Sequence, residues 1–374
     1  MDFSLNETQE MLADSIEKFI ENEYDFDARQ KNAASDDGFS ADVWQTFADL
    51  GWTAVPFSEV DGGFDGTAID SMIIMQRLGR GLVVEPYLAN IVLAGGILKR
   101  AANRAQRERW LHPMIAGELQ AALAFVEPQS RYDLHNVATV ATKDGDGWRL
   151  SGHKGVVLNA RNARLLIVPA RTSGKQSDAD GISLFAVDAS ASGITVTDYP
   201  TVDGHNAAEL SLAEVGIGTD SLIGETGKGL AILDATIDEA TLAVCAEAVG
   251  IMQIMNDKTV EYSKNRIQFG VPIGSFQALQ HRMVDMLTAC EQSQSLLMWA
   301  TMVHAAGQDE AKRAVSAIKY KIGTTGRKLG EEAVQIHGGM GVTWELDIAH
   351  YFKRLIAIGQ MFGNADWHLD KLAD

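Results

Sequence analysis

Cysteine is scarce: Cys245 and Cys290 are the only two in 374 residues. Both sit in apolar, helix-like sequence, so a disulfide framework is not implied and a reduced compartment is expected. Basic residues are also short. Against 50 Asp and Glu stand 32 Lys and Arg, a formal net charge of −18. A surface that anionic repels phosphate backbones and anionic lipid, so neither nucleic acid nor a membrane is an expected partner. Long apolar runs are missing. The longest, Leu82 to Leu98, is broken by Glu85, Pro86, Asn90 and a glycine pair, and is too short to span a bilayer. The opening Met1-Asp-Phe-Ser-Leu-Asn-Glu is polar and acidic, unlike a signal peptide, and a cytoplasmic protein is expected. Nucleotide loops are missing too. Gly227-Lys-Gly229 is followed by Ile232 where a third glycine would complete a dinucleotide turn. There is no Walker A sequence and no Gly-x-Ser-x-Gly elbow. His337 and His350 flank a glycine cluster without an acid or cysteine partner at ligand spacing, so no metal site is expected.

What is present is ordinary globular chemistry, 46% hydrophobic and 22% charged, in a chain long enough for two or three packed units. The first hundred residues read as helices. Leu12, Ile16, Phe19 and Ile20 share one face; Ser40 is a candidate N-cap for an apolar stripe of Val43, Trp44, Phe47 and Leu50 that Gly51 stops. Pro56 to Gly66 reads as a turn-rich loop, and another helical pattern runs from about Ile69 to Leu78. Near residue 120 the period changes. Asp144-Gly145 and Asp146-Gly147 are turn dipeptides, and Trp148-Arg-Leu-Ser alternates apolar with polar. Leu165 to Val168, Ile182 to Val187 and Ile194 to Thr197 are further β-type runs, which suggests an antiparallel sheet or barrel. Past Gly229 the pattern is helical again: Ala231 to about Tyr262, Phe276 to Ala306, and Glu310 to His337. The expected class is α+β: an all-α domain over 1–118, an antiparallel β-barrel over 119–223 and a four-helix bundle over 224–374.

Tyr262 to Met286 carries the most information. Arg266-x-Gln268-Phe269-Gly270 closes one long helix, the turn Gly270-Val-Pro272-Ile-Gly274 follows, and Phe276-Gln277-x-x-Gln280 opens the next. The residues alone leave two roles open. A guanidinium fixed at a helix end is a good diphosphate ligand, because its fork matches phosphate oxygens. It is equally suited to capping helix carbonyls, with a Phe stapling the hairpin.

The run from Arg266 through Gln280 to Asp285-Met286 resembles the signature of the acyl-CoA dehydrogenase family. Gln335-Ile-His-Gly338-Gly339-Met-Gly341 resembles that family's Gln-x-x-Gly-Gly-x-Gly segment. Leu5-Asn-Glu-Thr-Gln-Glu and Ala124-Phe-Val-Glu127-Pro128 are similar to its opening and to its flavin-side Thr-Glu-Pro strand. The likeness covers the whole chain. It implies a tetramer with FAD between subunits, Arg266 and Gln268 at a neighbour's diphosphate, and Gln335, Gly338 and Gly339 against the same group. Phe269, Gln277 and Asn364 are further candidate cofactor contacts. It also implies an acyl-CoA substrate and an electron-transfer flavoprotein as electron acceptor.

The chain departs from the family pattern at the catalytic base. Where most members carry Tyr-Glu-Gly-Thr, this chain has Gln360-Met361-Phe362-Gly363-Asn364, so Phe362 holds the base position. Where other members carry Leu-Asp-x-Glu-Arg, it has Ile237-Asp238-Glu239-Ala240-Thr241, so Ala240 holds the alternative one. Glu239 is the weak fallback, about 100° around the helix; Glu127, before Pro128, reads as structural. The family's own-side flavin contacts are altered as well: Val126 replaces Thr, Arg131-Tyr132-Asp133 replaces Gly-Ser-Asp, and Val157-Leu158-Asn159 replaces Ile-Thr-Asn. This pattern resembles the small subunit of a heteromeric α2β2 member, and in Tyr24-Asp-Phe-Asp, Val84-Glu-Pro-Tyr-Leu and Cys245-Ala-Glu-Ala-Val-Gly the chain looks most like that of pimeloyl-CoA dehydrogenase. Steroid side-chain dehydrogenases use a similar plan. A self-sufficient homotetramer with an unusual base, and a flavin-free scaffold, are the alternatives. Met252, Met255, Met283, Met286 and Met298 read as bundle core and Trp148 as β packing.

Overall fold

The computed structural model describes residues 4–373. Met1 to Phe3, where the acidic opening begins, and Asp374 lie outside them. The chain packs as two compact units. Among the described residues one comprises 4–32, 67–83 and 241–373, the other 33–66 and 84–240.

In the first unit, α1 (Glu7–Glu23) starts from a capping box in which Asn6 and Gln9 bond each other's backbone amides. Its Ile16 and Phe19 are buried, as their spacing requires. The eight-residue α2 (Phe26–Ala33) follows without a strong periodic signal. The second unit continues with α3 (Ala41–Asp49), capped by the Ser40 hydroxyl. Trp44 and Phe47 are buried, but Leu50 is exposed: the helix ends at Asp49, so Leu50 leaves the apolar stripe. After α4 (Ala68–Arg80), the run 88–95 winds as a wider π-helical segment leading into α5 (Gly96–Ala101). The short α6 (Arg104–Gln106) and α7 (His112–Ile115) complete this part.

The strands are β1 (Ala121–Leu123), β2 (Val140–Asp144), β3 (Gly147–Leu158), β4 (Leu165–Arg171), β5 (Ile182–Asp188), β6 (Ile194–Pro200), β7 (Asn206–Ile217) and β8 (Leu222–Ile223). They form one sheet in the order β6-β7-β3-β2-β4-β5-β8, with β1 added beside β4. The sheet is open, so the expected closed barrel is not formed. β6 and β8 end it, and β2 joins β4 through one residue pair, Val140 with Arg171. Nor is it wholly antiparallel, because β1 and β2 both run parallel to β4. Trp148, Leu150, Leu166, Phe185 and Leu210 fill its core, and Trp148 meets Phe185 edge-on at 5.4 Å.

From Gly229 the chain is helical, as its pattern requires: α8 (Gly229–Asn265), a hairpin of β9 (Ile267–Gln268) and β10 (Val271–Pro272), α9 (Gln277–Ala305), α10 (Ala311–His337), α11 (Ile348–Gln360) and α12 (Ala365–Ala373). α12 is an element beyond the four expected. Met252, Met255, Met286 and Met298 lie in this core, and Met283 is half-buried. α4 packs on α8 where Gly79 and Gly250 bring the backbones together: a Cβ on Gly250 would lie 1.9 Å from the Gln76 carbonyl oxygen. Glu247 and Arg354 join α8 to α11 by a buried two-pronged ion pair at 2.5 and 2.8 Å. Both cysteines are free and buried. No helix among the described residues is long and apolar enough to cross a membrane.

Candidate functional site

Arg266 follows the last residue of α8, where the chain leaves the helix for the β9–β10 hairpin. At the tip Phe269 and Gly270 have φ of +54° and +82°, the left-handed pair that a two-residue hairpin turn demands. Phe269 adopts this conformation at a steric cost, yet its ring is 93% exposed and meets the edge of Phe276 at 6.2 Å. Ile267 and Val271 beside it are exposed too. The Arg266 backbone is tied, its amide donating to the Tyr262 carbonyl and its carbonyl accepting from Ile273. Its side chain is exposed, with no hydrogen bond or ion pair among the described residues. So the Arg266 side chain does not cap the helix, and among the described residues the one ring contact of Phe269 is with the half-exposed Phe276 at the start of α9.

The glycine segment stands at the end of α10. Gly338 has φ +63° and ψ −139°, where a side chain would be strained, and it turns the chain away from the helix. A Cβ on Gly339 would meet open space, so this backbone is accessible. Tyr262 links the two places: its hydroxyl donates to the His337 carbonyl at 3.3 Å, and its ring stacks on the His337 ring at 4.3 Å. The structure therefore brings the Arg266 end of α8 beside the Gly338 turn, 72 residues further along the chain. Gln335 in the last turn of α10 and Gln277 at the start of α9 are exposed. Gln268 turns its amide back to the Ile267 carbonyl at 2.7 Å. Asn364 does structural work, its side-chain oxygen accepting from the Trp367 amide at 3.0 Å to cap α12.

The positions matched to the base hold no proton acceptor. Phe362 sits in a left-handed turn, φ +55°, before Gly363. Two buried side chains brace this turn. Lys319 donates to the Gly363 carbonyl at 2.6 Å, and the His368 ring donates Nε2–H to the Phe362 carbonyl at 3.1 Å. Burial pushes Lys319 down to about 8 despite the nearby Cys245. Burial, reinforced by Lys319, pushes His368 down to about 3. In the other unit Ala240 is fully buried, and the Glu239 carboxylate pairs with Arg100, which also holds the Gly96 carbonyl.

The segment matched to the family's own-side flavin contacts keeps its frame but not its polar face. Burial raises the Glu127 carboxyl, but the Lys154 ammonium at 2.6 Å and donors from Thr139 and Gln129 outweigh it and hold the group at about 2. Lys154 also donates to the Pro169 carbonyl, and burial lowers its own pKa. Arg171 donates to the carbonyls of His135, Gln176, Asp178 and Asp180, clamping two loops. Asn159 is turned inward, bonding Gln120 and Asn162. Val126, Tyr132 and Leu158, half-buried, present two apolar side chains and a phenol. Lys154, Arg171, Tyr262, Lys319 and His368 are missing from the sequence expectations.

Three family models match the chain in succession: the acyl-CoA dehydrogenase N-terminal domain over residues 6–118, the middle domain over 122–215 and the C-terminal domain over 227–374. The chain is 30% identical over 355 residues to the mitochondrial short-chain specific acyl-CoA dehydrogenase of Bos taurus, spanning 93% of this chain and 85% of that one. Among solved structures it is similar to the FAD complex of PigA, with 27% identity and a TM-score of 0.93 over 100% of this chain and 98% of that one. It is likewise similar to a chain of the Tcur3481-Tcur3483 steroid ACAD, with 27% identity and a TM-score of 0.89 over 99% and 98%. The chain belongs to the acyl-CoA dehydrogenase family, oxidoreductases acting on CH–CH bonds.

Proposed function

We propose that this chain is a subunit of an FAD-dependent acyl-CoA dehydrogenase, one that lends half of a flavin site to a neighbouring chain and has no catalytic base of its own. One contrast carries the reading: an unpartnered Arg266 beside an accessible glycine turn, in a chain whose two base positions are Phe362 and Ala240.

The donor set fits the diphosphate of FAD on the lending side. Arg266 supplies a guanidinium with no partner among the described residues, Gly338 and Gly339 let backbone approach phosphate oxygens, and the exposed Gln335 and Gln277 can add amides, whereas Gln268 would have to release its amide from the Ile267 carbonyl. The exposed Phe269 at the hairpin tip would offer its ring to the group, while Asn364 is largely spent on its helix. When bound, the flavin supplies the acceptor for the β-hydride of an acyl-CoA thioester. The α-proton goes to a carboxylate of the large subunit, since Phe362 cannot take it. The chain's own side does not fit the flavin, because Val126, Leu158 and Tyr132 offer little to its polar edge. The assembly is then α2β2 and cytoplasmic, with an electron-transfer flavoprotein reoxidising it. Within the family we propose a likeness to the small subunit of pimeloyl-CoA dehydrogenase.

The test is a visible absorption spectrum of the chain alone and of the chain co-purified with the large subunit encoded beside it. A colourless chain and one flavin per heterodimer are expected, with Arg266→Ala lowering flavin affinity about tenfold or more, as befits loss of a charge-assisted pair. One flavin per chain in the chain alone, or an unchanged flavin content in the variant complex, overturns the reading.

A further inference from the structure

The lent half-site is built from two pieces distant in sequence, and the structure contains a device that fixes one to the other. Lys258 and Tyr262 are four residues apart on one face of α8, and Arg266, four residues further on, stands just past the helix end. The first two each grip one end of the segment 337–347. Lys258 pairs with the buried Asp347 carboxylate at 2.7 Å, just before α11. Tyr262 stacks on His337 at 4.3 Å with an interplanar angle of 29° and donates to its carbonyl at 3.3 Å. His337 is itself anchored, since its Nδ1–H donates to the Ala333 carbonyl at 2.8 Å. The segment that contains the glycine turn is thus held at both ends by one face of α8, and Arg266 follows directly after that helix.

We propose that Tyr262 and Lys258 are positioning residues: they hold the Gly338–Val342 turn in register with Arg266, so that backbone and guanidinium reach one diphosphate together. This rests on the lending role. A turn held at one end would pivot about Gly338, whose conformation has little side-chain restraint. Two tethers remove that freedom, and the ordering cost is met on folding instead of on binding. In this role each residue acts through the turn.

The experiment measures FAD affinity, by equilibrium dialysis, of the flavoprotein assembled on this chain. Tyr262→Leu and Lys258→Met are each expected to weaken FAD binding about tenfold, the size of coupling between contacting residues. Tyr262→Phe keeps the stack and is expected to lose about fivefold or less, the share of one neutral hydrogen bond. The decisive readout is the double variant. In an Arg266→Ala background, Tyr262→Leu is expected to add little, because the turn no longer has a partner to be held against. Full additivity overturns the positioning role, as does unchanged affinity in both Tyr262→Leu and Lys258→Met while Arg266→Ala is weakened. If Arg266→Ala itself leaves affinity unchanged, the lending role falls instead. Should Tyr262→Leu misfold, Tyr262→Phe and Lys258→Met carry the same comparison.

Discussion

Lys154 is fully buried on β3, its ammonium shared between the Glu127 carboxylate and the Pro169 carbonyl. Removing one partner strands the other charge without water, so Lys154→Met is expected to cost about 3–5 kcal/mol in urea unfolding, with much of that recovered by adding Glu127→Leu. The signal for this pair was in the sequence. Lys154 shares the alternation parity of the inward-facing Trp148 and Leu150, and an inward lysine demands a buried acid. Acid stability follows from the same residues. Glu127 is held at about 2 in the fold against an ordinary 4.5, so its contribution is complete above pH 4.5 and lost as pH falls toward 2. His368 is held neutral, at about 3 against 6.5, so its contribution is complete above pH 6.5 and lost as pH falls toward 3. Unfolding free energy is therefore expected to fall from pH 6.5 downward, and His368→Asn to flatten the first part of that slope.

At the scale of elements, the α4–α8 crossing is set by two glycines. A methyl group at Gly250 would strike the Gln76 carbonyl, and one at Gly79 would lie 2.2 Å from the Glu247 carbonyl. Gly250→Ala, favourable in an isolated helix, is here expected to destabilise by about 1–3 kcal/mol in thermal or urea unfolding, because the backbones must separate. Gly250 stood out in the sequence as the single interruption of a long helical pattern, but its reason lies in another helix. Sheet closure was hidden for a similar cause. The runs at 165–168 and 182–187 were legible as strands from their own residues. Whether the first and last strands meet depends on pairings between distant segments, and here β2 and β4 share one residue pair.

For the whole molecule, a charge of −18 coexists with exposed apolar side chains, among them Ile267, Phe269, Val342 and Trp344. Patches of this kind mark surfaces that another chain covers. The chain alone is expected to bind a hydrophobic dye strongly, and assembly with the proposed large subunit to remove most of the signal; equal dye binding before and after would count against burial of this surface. The Arg266 and Gly338 segments were legible because each is a compact motif, and Phe362 was legible as a residue that cannot take a proton; the lending role built on them is the proposal. The supports at Tyr262, Lys258, Lys319 and His368 were not, since each acts across a contact that no local pattern records.

The open sheet has one more consequence. β6 is an outermost strand, and its backbone faces outward with Thr195, Val196 and Thr197 exposed. Such an edge can recruit a strand from another molecule and seed aggregation. The strand carries its own deterrents: Asp198, held by Arg161 at 3.2 Å, and Pro200, which has no amide to offer. An open fold survives in a crowded cell by making its edge a poor template, and these two residues guard it.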